Sequence, residues 1–321
     1  MRYCIGVDLG GTNIKAGVVD ETGRILAEDS RKTKIPRPES EVCADIVETI
    51  LCALSRAGLT LDDIEGVGVG CPGRIDSGRG VVVHAYNLVW REYPLCDALR
   101  ASLHCPVYLG NDANVAALGE VWAGSALGAS SAVIITLGTG VGAGIVIDSH
   151  ILMGYNEAAS EFGHTVIVHD GAPCTCGRRG CLEAYTSATG LVRMTREAME
   201  QNPESLLWKL TDLAGVDGRI AFIASRKGDR TATEVVDRYI GYLACGLANI
   251  INAIQPEVIS LGGGVAKEGD PLLIPLRERT YQEVFGGLGE KYTRIELCTL
   301  GYKAGIIGAA MLALSSAGQK P

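Results

Sequence analysis

Residues 3–20 read YCIGVDLGGTNIKAGVVD, and residues 133–148 read VIITLGTGVGAGIVID. Each stretch is an apolar run, a glycine turn and a second apolar run closing on Asp, which is the pattern of a β-hairpin. A shift of 128 positions lays Leu9 on Leu137, Gly10 on Gly138, Val18 on Val146 and Asp20 on Asp148 without a gap. The same syntax at the same spacing predicts two related domains. Around the hairpins the chain reads as mixed α/β. Helical periodicity runs over 40–55, 114–122 and 233–254, and a small-residue apolar helix is expected over 305–314. Strands are expected at 64–69, 107–109 and 258–261. No stretch reads as a long linker.

Glycine is in excess, at 42 of 321 residues, roughly twice the usual share. There is no collagen-like triplet, and 47% hydrophobic with 21% charged residues argues against disorder. Such an excess predicts tight turns and close backbone approaches, as phosphate-binding loops require. The net charge of −8, from 29 Lys+Arg against 37 Asp+Glu, counts against nucleic acid or an anionic membrane as partner. The longest apolar segment, 132–147, is broken by Gly138, Gly140, Gly142 and Gly144, so no membrane span is expected. Asp8 interrupts the first apolar run, so no signal peptide is expected and the predicted location is the cytoplasm. There, cysteines stay reduced. Cys4, Cys43, Cys52, Cys71, Cys96, Cys105, Cys245 and Cys298 sit among apolar neighbours and read mostly as buried thiols.

Three glycine loops follow strands: Gly10-Gly11-Thr12, Gly138-Thr139-Gly140-Val141-Gly142 and Gly262-Gly263-Gly264. Exposed backbone N–H groups and a Thr hydroxyl can cradle phosphate without added charge. Each loop alone could be an ordinary turn; the three together, with the repeat, favour phosphate binding. Residues 68–73 and 138–143 match the dinucleotide fingerprint but fail on context, since Pro72 interrupts the first and a strand follows the second. No P-loop occurs. Asp8 ends the first strand, where it either holds Mg²⁺ or satisfies turn amides.

Asn111-Asp112-Ala113-Asn114 lies where a strand hands over to a helix. Asp112 is either the N-cap or a general base that takes a proton from a substrate hydroxyl. The helix start is expected to lower its pKa, keeping it ionised but weakly basic, which phosphoryl transfer tolerates. The strongest constellation is His164, Cys174, Cys176 and Cys181. One imidazole and three thiolates suit a closed, structural Zn²⁺ site, around which Gly177 and Gly180 let the chain fold. Packing thiols are the alternative.

As a set, Asp8 to Asn13, Asn111 to Asn114, Leu137 to Gly142, Glu161 to His164 and the Cys-x-Cys-Gly-x-x-Gly-Cys-x-Glu element at 174–183 resemble the ROK sugar kinases of the actin-like/hexokinase superfamily. Asn87-Leu88-x-Trp90 and the run 114–120 make the chain most like the glucokinases of Gram-positive bacteria. The resemblance implies an α/β fold of two ribonuclease H-like duplicated domains with an interdomain cleft. The smaller would span 1–115, completed by a C-terminal helix at about 305–321. The larger, with the zinc loop, would span 116–304. It implies ATP-dependent phosphorylation of a hexose, glucose at its 6-hydroxyl, with Asp112 as the base. Gly73, Asn87, Asn111, Asp112, Glu161, His164 and Glu183 would hold the sugar. His164 would serve zinc with one ring nitrogen and the sugar with the other. Asp8, Gly10, Gly11, Thr12, Asn13, Gly138, Thr139, Gly140 and Gly142 would take the phosphates and Mg²⁺. Gly262, Gly263 and Gly264 would lie near the adenosine. Ala143 departs from the family, many of whose members have Gly there. A homodimer or homotetramer is expected.

Two other readings stay open. The sugar could be N-acetylmannosamine, N-acetylglucosamine, fructose or allose, since residues that read ring hydroxyls do not settle the C2 substituent. The family also contains sugar-responsive repressors with a winged helix ahead of the core. With the phosphate loop starting at Gly10 and an acidic balance, no specific DNA binding is expected.

Overall fold

A computed structural model describes residues 1–287 and 289–317. The strands are, in chain order, β1 (Tyr3–Leu9), β2 (Asn13–Asp20), β3 (Ile25–Lys32), β4 (Val67–Cys71), β5 (Arg74–Asp76), β6 (Val81–Ala85), β7 (Trp90–Tyr93) and β8 (Val107–Asn111). They continue with β9 (Ser131–Leu137), β10 (Val141–Ile147), β11 (His150–Ile151), β12 (Val258–Gly262) and β13 (Arg294–Leu297). One sheet has the order β3-β2-β1-β4-β8 and another the order β11-β10-β9-β12-β13. β5, β6 and β7 form a small antiparallel sheet of their own.

The two large sheets are the same sheet built twice. β1 pairs antiparallel with β2 and parallel with β4, and β4 pairs parallel with β8. In the second sheet β12 pairs parallel with β13. The helix Glu39–Ala57 falls between β3 and β4 as Arg230–Ile254 falls between β11 and β12. Each final parallel strand leads to a helix, Asp112–Ala123 after β8 and Lys303–Ala317 after β13. β9 starts and ends 128 positions after β1, so the repeat read from the hairpins extends to the topology. The chemistry is not repeated, because the position matching Asp8 is Thr136.

The chain forms two compact units. One comprises Met1–Ile134, Gly144–Ser160 and the described residues from Cys298 onward; the other comprises Ile135–Ala143 and Glu161–Leu297. Residues 116–134, grouped with the second domain in the sequence reading, therefore pack with the first unit. The helices Asp112–Ala123 and Lys303–Ala317 lie backbone to backbone: a Cβ on Gly308 would sit 1.7 Å from the Val115 carbonyl oxygen.

One face of the first sheet explains much of the glycine excess. Register places Gly6 beside both Gly17 and Gly68, and Gly70 beside Gly110. By strand alternation all five point to the same face. The helix Lys303–Ala317 lies on that face so closely that a Cβ on Gly6 would sit 1.8 Å from the Ile306 carbonyl oxygen. The opposite face carries Ile5, Val7, Leu9, Ile14 and Val18, which join Val42, Ile46 and Ile50 of the helix Glu39–Ala57 in one core.

β3, the β5–β7 sheet and the helices Leu95–Leu103, Ala188–Gln201 and Asp270–Glu283 were not expected from sequence. β3 reads ILAEDSRK, without clean alternation, because it is an edge strand where charged residues are tolerated. The C-terminal helix expected to about 321 is seen as Lys303–Ala317; residues 318–321 lie outside the described residues. No described helix is long and apolar enough to cross a membrane.

Candidate active site

In the first unit the β1–β2 turn is Gly10-Gly11-Thr12, closed by the Gly10 N–H donating to the Asn13 carbonyl at 2.9 Å. Asn13 is the first residue of β2. Asp8 lies opposite Lys15 across the hairpin, and the Lys15 ammonium is 3.3 Å from its Oδ2. One residue just beyond β3, Thr33, braces the turn twice. The Thr33 hydroxyl, fully buried, donates to the Gly10 carbonyl at 2.6 Å, and its N–H donates to the Thr12 carbonyl at 3.0 Å. Sequence reading missed both Lys15 and Thr33. Only the cross-strand register, which puts Asn13 opposite Lys32, could have pointed to Thr33.

The same unit brings Asn87, Gly73, Asn111 and Asp112 to this turn. A Cβ on Gly11 would lie 2.9 Å from the Asn87 carbonyl oxygen, so only glycine lets the two segments touch. Gly73, at φ +97, leaves no room for a Cβ beside the His84 carbonyl, and its own carbonyl accepts from Asn111 Nδ2 at 3.1 Å. Asn111, not Asp112, is the N-cap: its Oδ1 accepts from the Ala113 N–H at 3.0 Å and the Asn114 N–H at 3.3 Å. Asp112, the first helical residue, also accepts from the Ala113 N–H at 2.9 Å.

The pKa expectation for Asp112 is reversed. Desolvation by the surrounding protein, with the negative charge of Asp8 added, raises its carboxyl above the ordinary value. The hydrogen bonds at the helix start pull the other way and do not win. The carboxylate keeps a face open to solvent while protein crowds the rest, which fits a group that must meet a substrate.

The second unit carries the matching turn, Gly138-Thr139-Gly140, closed by the Gly138 N–H donating to the Gly140 carbonyl at 3.0 Å. Gly142 lies within β10 and not in the turn. The Ala188 N–H and the Thr189 hydroxyl donate to the Gly138 and Thr139 carbonyls, each at 2.8 Å. Gly262 ends β12, and Gly263, at φ +88, passes so close to the Leu137 carbonyl that a Cβ would lie 2.4 Å from it. Gly264 follows with open space around it, so the second and third glycine loops are neighbours.

Glu161 is exposed at the start of a single tight turn, Phe162–His164, held by the His164 N–H donating to the Glu161 carbonyl at 3.0 Å. Glu183 ties two parts of the unit together. Its Oε2 accepts from the Val141 N–H at 2.9 Å, and its Oε1 accepts from the Thr175 hydroxyl at 3.0 Å. It therefore links the glycine turn to the cysteine loop.

The ligand atoms of His164, Cys174, Cys176 and Cys181 all lie within 4.8 Å of one another. Cys174 Sγ is 3.6 Å from His164 Nδ1, and Cys176 Sγ is 3.7 Å from Cys181 Sγ. A tetrahedral ion with the usual Zn–S and Zn–N bonds sets S···S near about 3.8 Å and N···S near about 3.6 Å. The donor set and its spacing therefore fit Zn²⁺. Gly177 and Gly180 have φ of +87 and +78, and a Cβ on Gly180 would clash with the Val168 carbonyl. Burial pushes Cys181 up to about 12, whereas a backbone hydrogen bond from Arg178 holds Cys176 below the ordinary thiol value. A bound cation is what would let all three thiols ionise together.

Comparison with known proteins identifies the family. The profile of the ROK family matches residues 4–316. The chain is 40% identical over 313 residues to a glucokinase of Halalkalibacterium halodurans, covering 97% of this chain and 94% of that relative. A ROK hexokinase from Thermus thermophilus superposes with a TM-score of 0.84 at 32% identity, covering 98% of each chain. A ROK family glucokinase from Streptomyces griseus, solved in complex with glucose and AMPPNP, gives 0.77 at 38% identity, covering 98% of this chain and 99% of that one. With the hairpin repeat, the glycine turns and the His–Cys cluster in place, this chain belongs to the ROK family.

Proposed function

We propose that this protein transfers the γ-phosphoryl group of ATP to the 6-hydroxyl of glucose. The observation that carries the reading is Asp112, an ionisable group with a raised pKa at an Asn111-capped helix start, grouped with Asn111, Gly73, Asn87 and the first glycine turn. Its relatives named as glucokinases support the choice of sugar.

In this reading Gly73, Asn87, Asn111, Glu161, His164 and Glu183 hold the sugar hydroxyls. Asp112 accepts the proton of the 6-hydroxyl as its oxygen bonds to the γ-phosphorus and the bond to the ADP oxygen breaks. A raised pKa makes Asp112 a better base than a surface carboxylate. Gly10, Gly11, Thr12, Asn13, Gly138, Thr139, Gly140 and Gly142 are assigned to the phosphates, and Gly262, Gly263 and Gly264 to the adenosine. Asp8 offers the hard oxygen that Mg²⁺ takes alongside substrate phosphates, and that cation would neutralise charge on the triphosphate. Zn²⁺ would be held by His164 Nδ1 and the three thiolates, fixing the imidazole so that Nε2 is free to face the sugar. The test is an ADP-release assay over a panel of hexoses. Turnover of an N-acetylhexosamine with glucose among the poor substrates would overturn the choice of sugar.

A further inference from the structure

β6 and β7 are joined by four residues, Tyr86-Asn87-Leu88-Val89, with Ala85 paired to Trp90 at the base. The Leu88 N–H donates to the Ala85 carbonyl and the Val89 N–H to the Tyr86 carbonyl, each at 3.2 Å. Leu88 and Trp90 are buried and anchor the turn. Tyr86 is 81% exposed and Val89 69% exposed, with Asn87 between them also exposed.

Val89 is the anomaly. Its φ is +60, a left-handed conformation that glycine adopts freely and that a β-branched residue adopts only under strain. Packing does not explain the side chain, because most of it is in solvent. Strained residues of this kind concentrate where a site needs them. The turn is in such a place. Asn87 touches Gly11, and the end of β6 is locked against Gly73, whose carbonyl is held by Asn111.

We propose that Val89 and Tyr86 are specificity-determining residues that favour glucose over its epimers and over its 2-acetamido derivative, on the reading that Asn87 binds a sugar hydroxyl. A sugar ring offers hydroxyl groups to an amide and C–H faces to apolar side chains. An amide flanked by an aromatic ring and a stiff branched side chain supplies both. The branched Val89 closes the space that an acetamido group or an inverted hydroxyl would need.

The test compares Val89→Gly, Val89→Ala and Val89→Ile with the parent on glucose, mannose, allose and N-acetylglucosamine. Val89→Gly and Val89→Ala should lower the preference in kcat/KM for glucose over at least one competitor by about five-fold or more, one extra methylene in a pocket being worth about ten-fold or more. Val89→Ile should keep the preference. Val89→Gly should in addition raise the Tm, because it removes the strain. Preferences unchanged within two-fold in both truncations would overturn the inference, as would a loss of Tm in Val89→Gly. A parent enzyme that phosphorylates none of these sugars would instead overturn the kinase reading on which the inference rests.

Discussion

Replacing Gly68 with Ala tests whether the glycine face of the first sheet exists to seat the last helix. A Cβ at Gly68 would lie 1.8 Å from the Ala309 carbonyl oxygen and 2.6 Å from its carbonyl carbon, where real contacts of this kind do not fall below 3.0 Å. Both partners are backbone, so no rotamer change relieves the overlap. The helix Lys303–Ala317 must withdraw by roughly 1 Å, and a gap of that size forfeits about a quarter to a half of each dispersion contact it opens. The cost belongs at the upper end of overpacking, about 3 kcal/mol. At about 2–4 °C per kcal/mol for a unit of this size, the Tm should fall by about 6–12 °C. Gly264→Ala makes the same chemical change where no atom lies within 4 Å, and it should stay within about 0.5 kcal/mol of the parent. Differential scanning calorimetry of the two variants side by side decides the matter. A Gly68→Ala Tm no lower than that of Gly264→Ala would refute the packing argument. The same helix carries Gly305 against Asp8, so Gly68→Ala should also lose turnover while Thr12 and Asn111 are untouched.

Asp112→Asn should cut kcat by about 10²–10⁴-fold while sugar affinity measured by calorimetry stays within a few-fold; retained turnover would remove Asp112 as the base. Because the folded state raises the Asp112 pKa, its ionised form costs stability at neutral pH, and that cost disappears as pH falls through the folded pKa toward 3.8. Asp112→Asn should therefore be more thermostable than the parent at pH 7, with the difference shrinking in acid, as thermal melts across pH would show. Cys181→Ser should lower bound zinc by elemental analysis and weaken glucose binding; well-folded parent protein free of metal would sink the zinc assignment. Thr33→Val keeps the buried shape but strips the donor from the Gly10 carbonyl, a loss of about 1–3 kcal/mol. Steady-state kinetics should show a raised KM for ATP with the KM for glucose unchanged, and equal changes in both would argue against a role at the phosphate turn.

The hairpins, the repeat and the His–Cys cluster were legible because they are local: alternation, turn glycines and the cysteine spacing are all written within a few residues. The three-residue turns at 10–12 and 138–140 follow directly from the quoted stretches. Asn111 and Asp112 illustrate the limit. Both are good N-caps, so neighbouring positions cannot be told apart until the backbone shows which side chain reaches the Ala113 and Asn114 N–H groups. Part of the glycine excess forms the two hairpin turns, at Gly10, Gly11, Gly138 and Gly140. Gly6, Gly17, Gly68, Gly70 and Gly110 instead form a surface assembled from four strands.

The sequence by itself determined the α/β class, the duplicated hairpins, the glycine turns and a His–Cys set of the right chemistry, since each depends on residues close along the chain. Tertiary structure alone decided which glycines seat the last helix, that Thr33 braces the first turn, and that the Asp112 pKa rises where its helix position predicted a fall. Those outcomes turn on desolvation and on strands paired across long separations, and neither is encoded in local spacing.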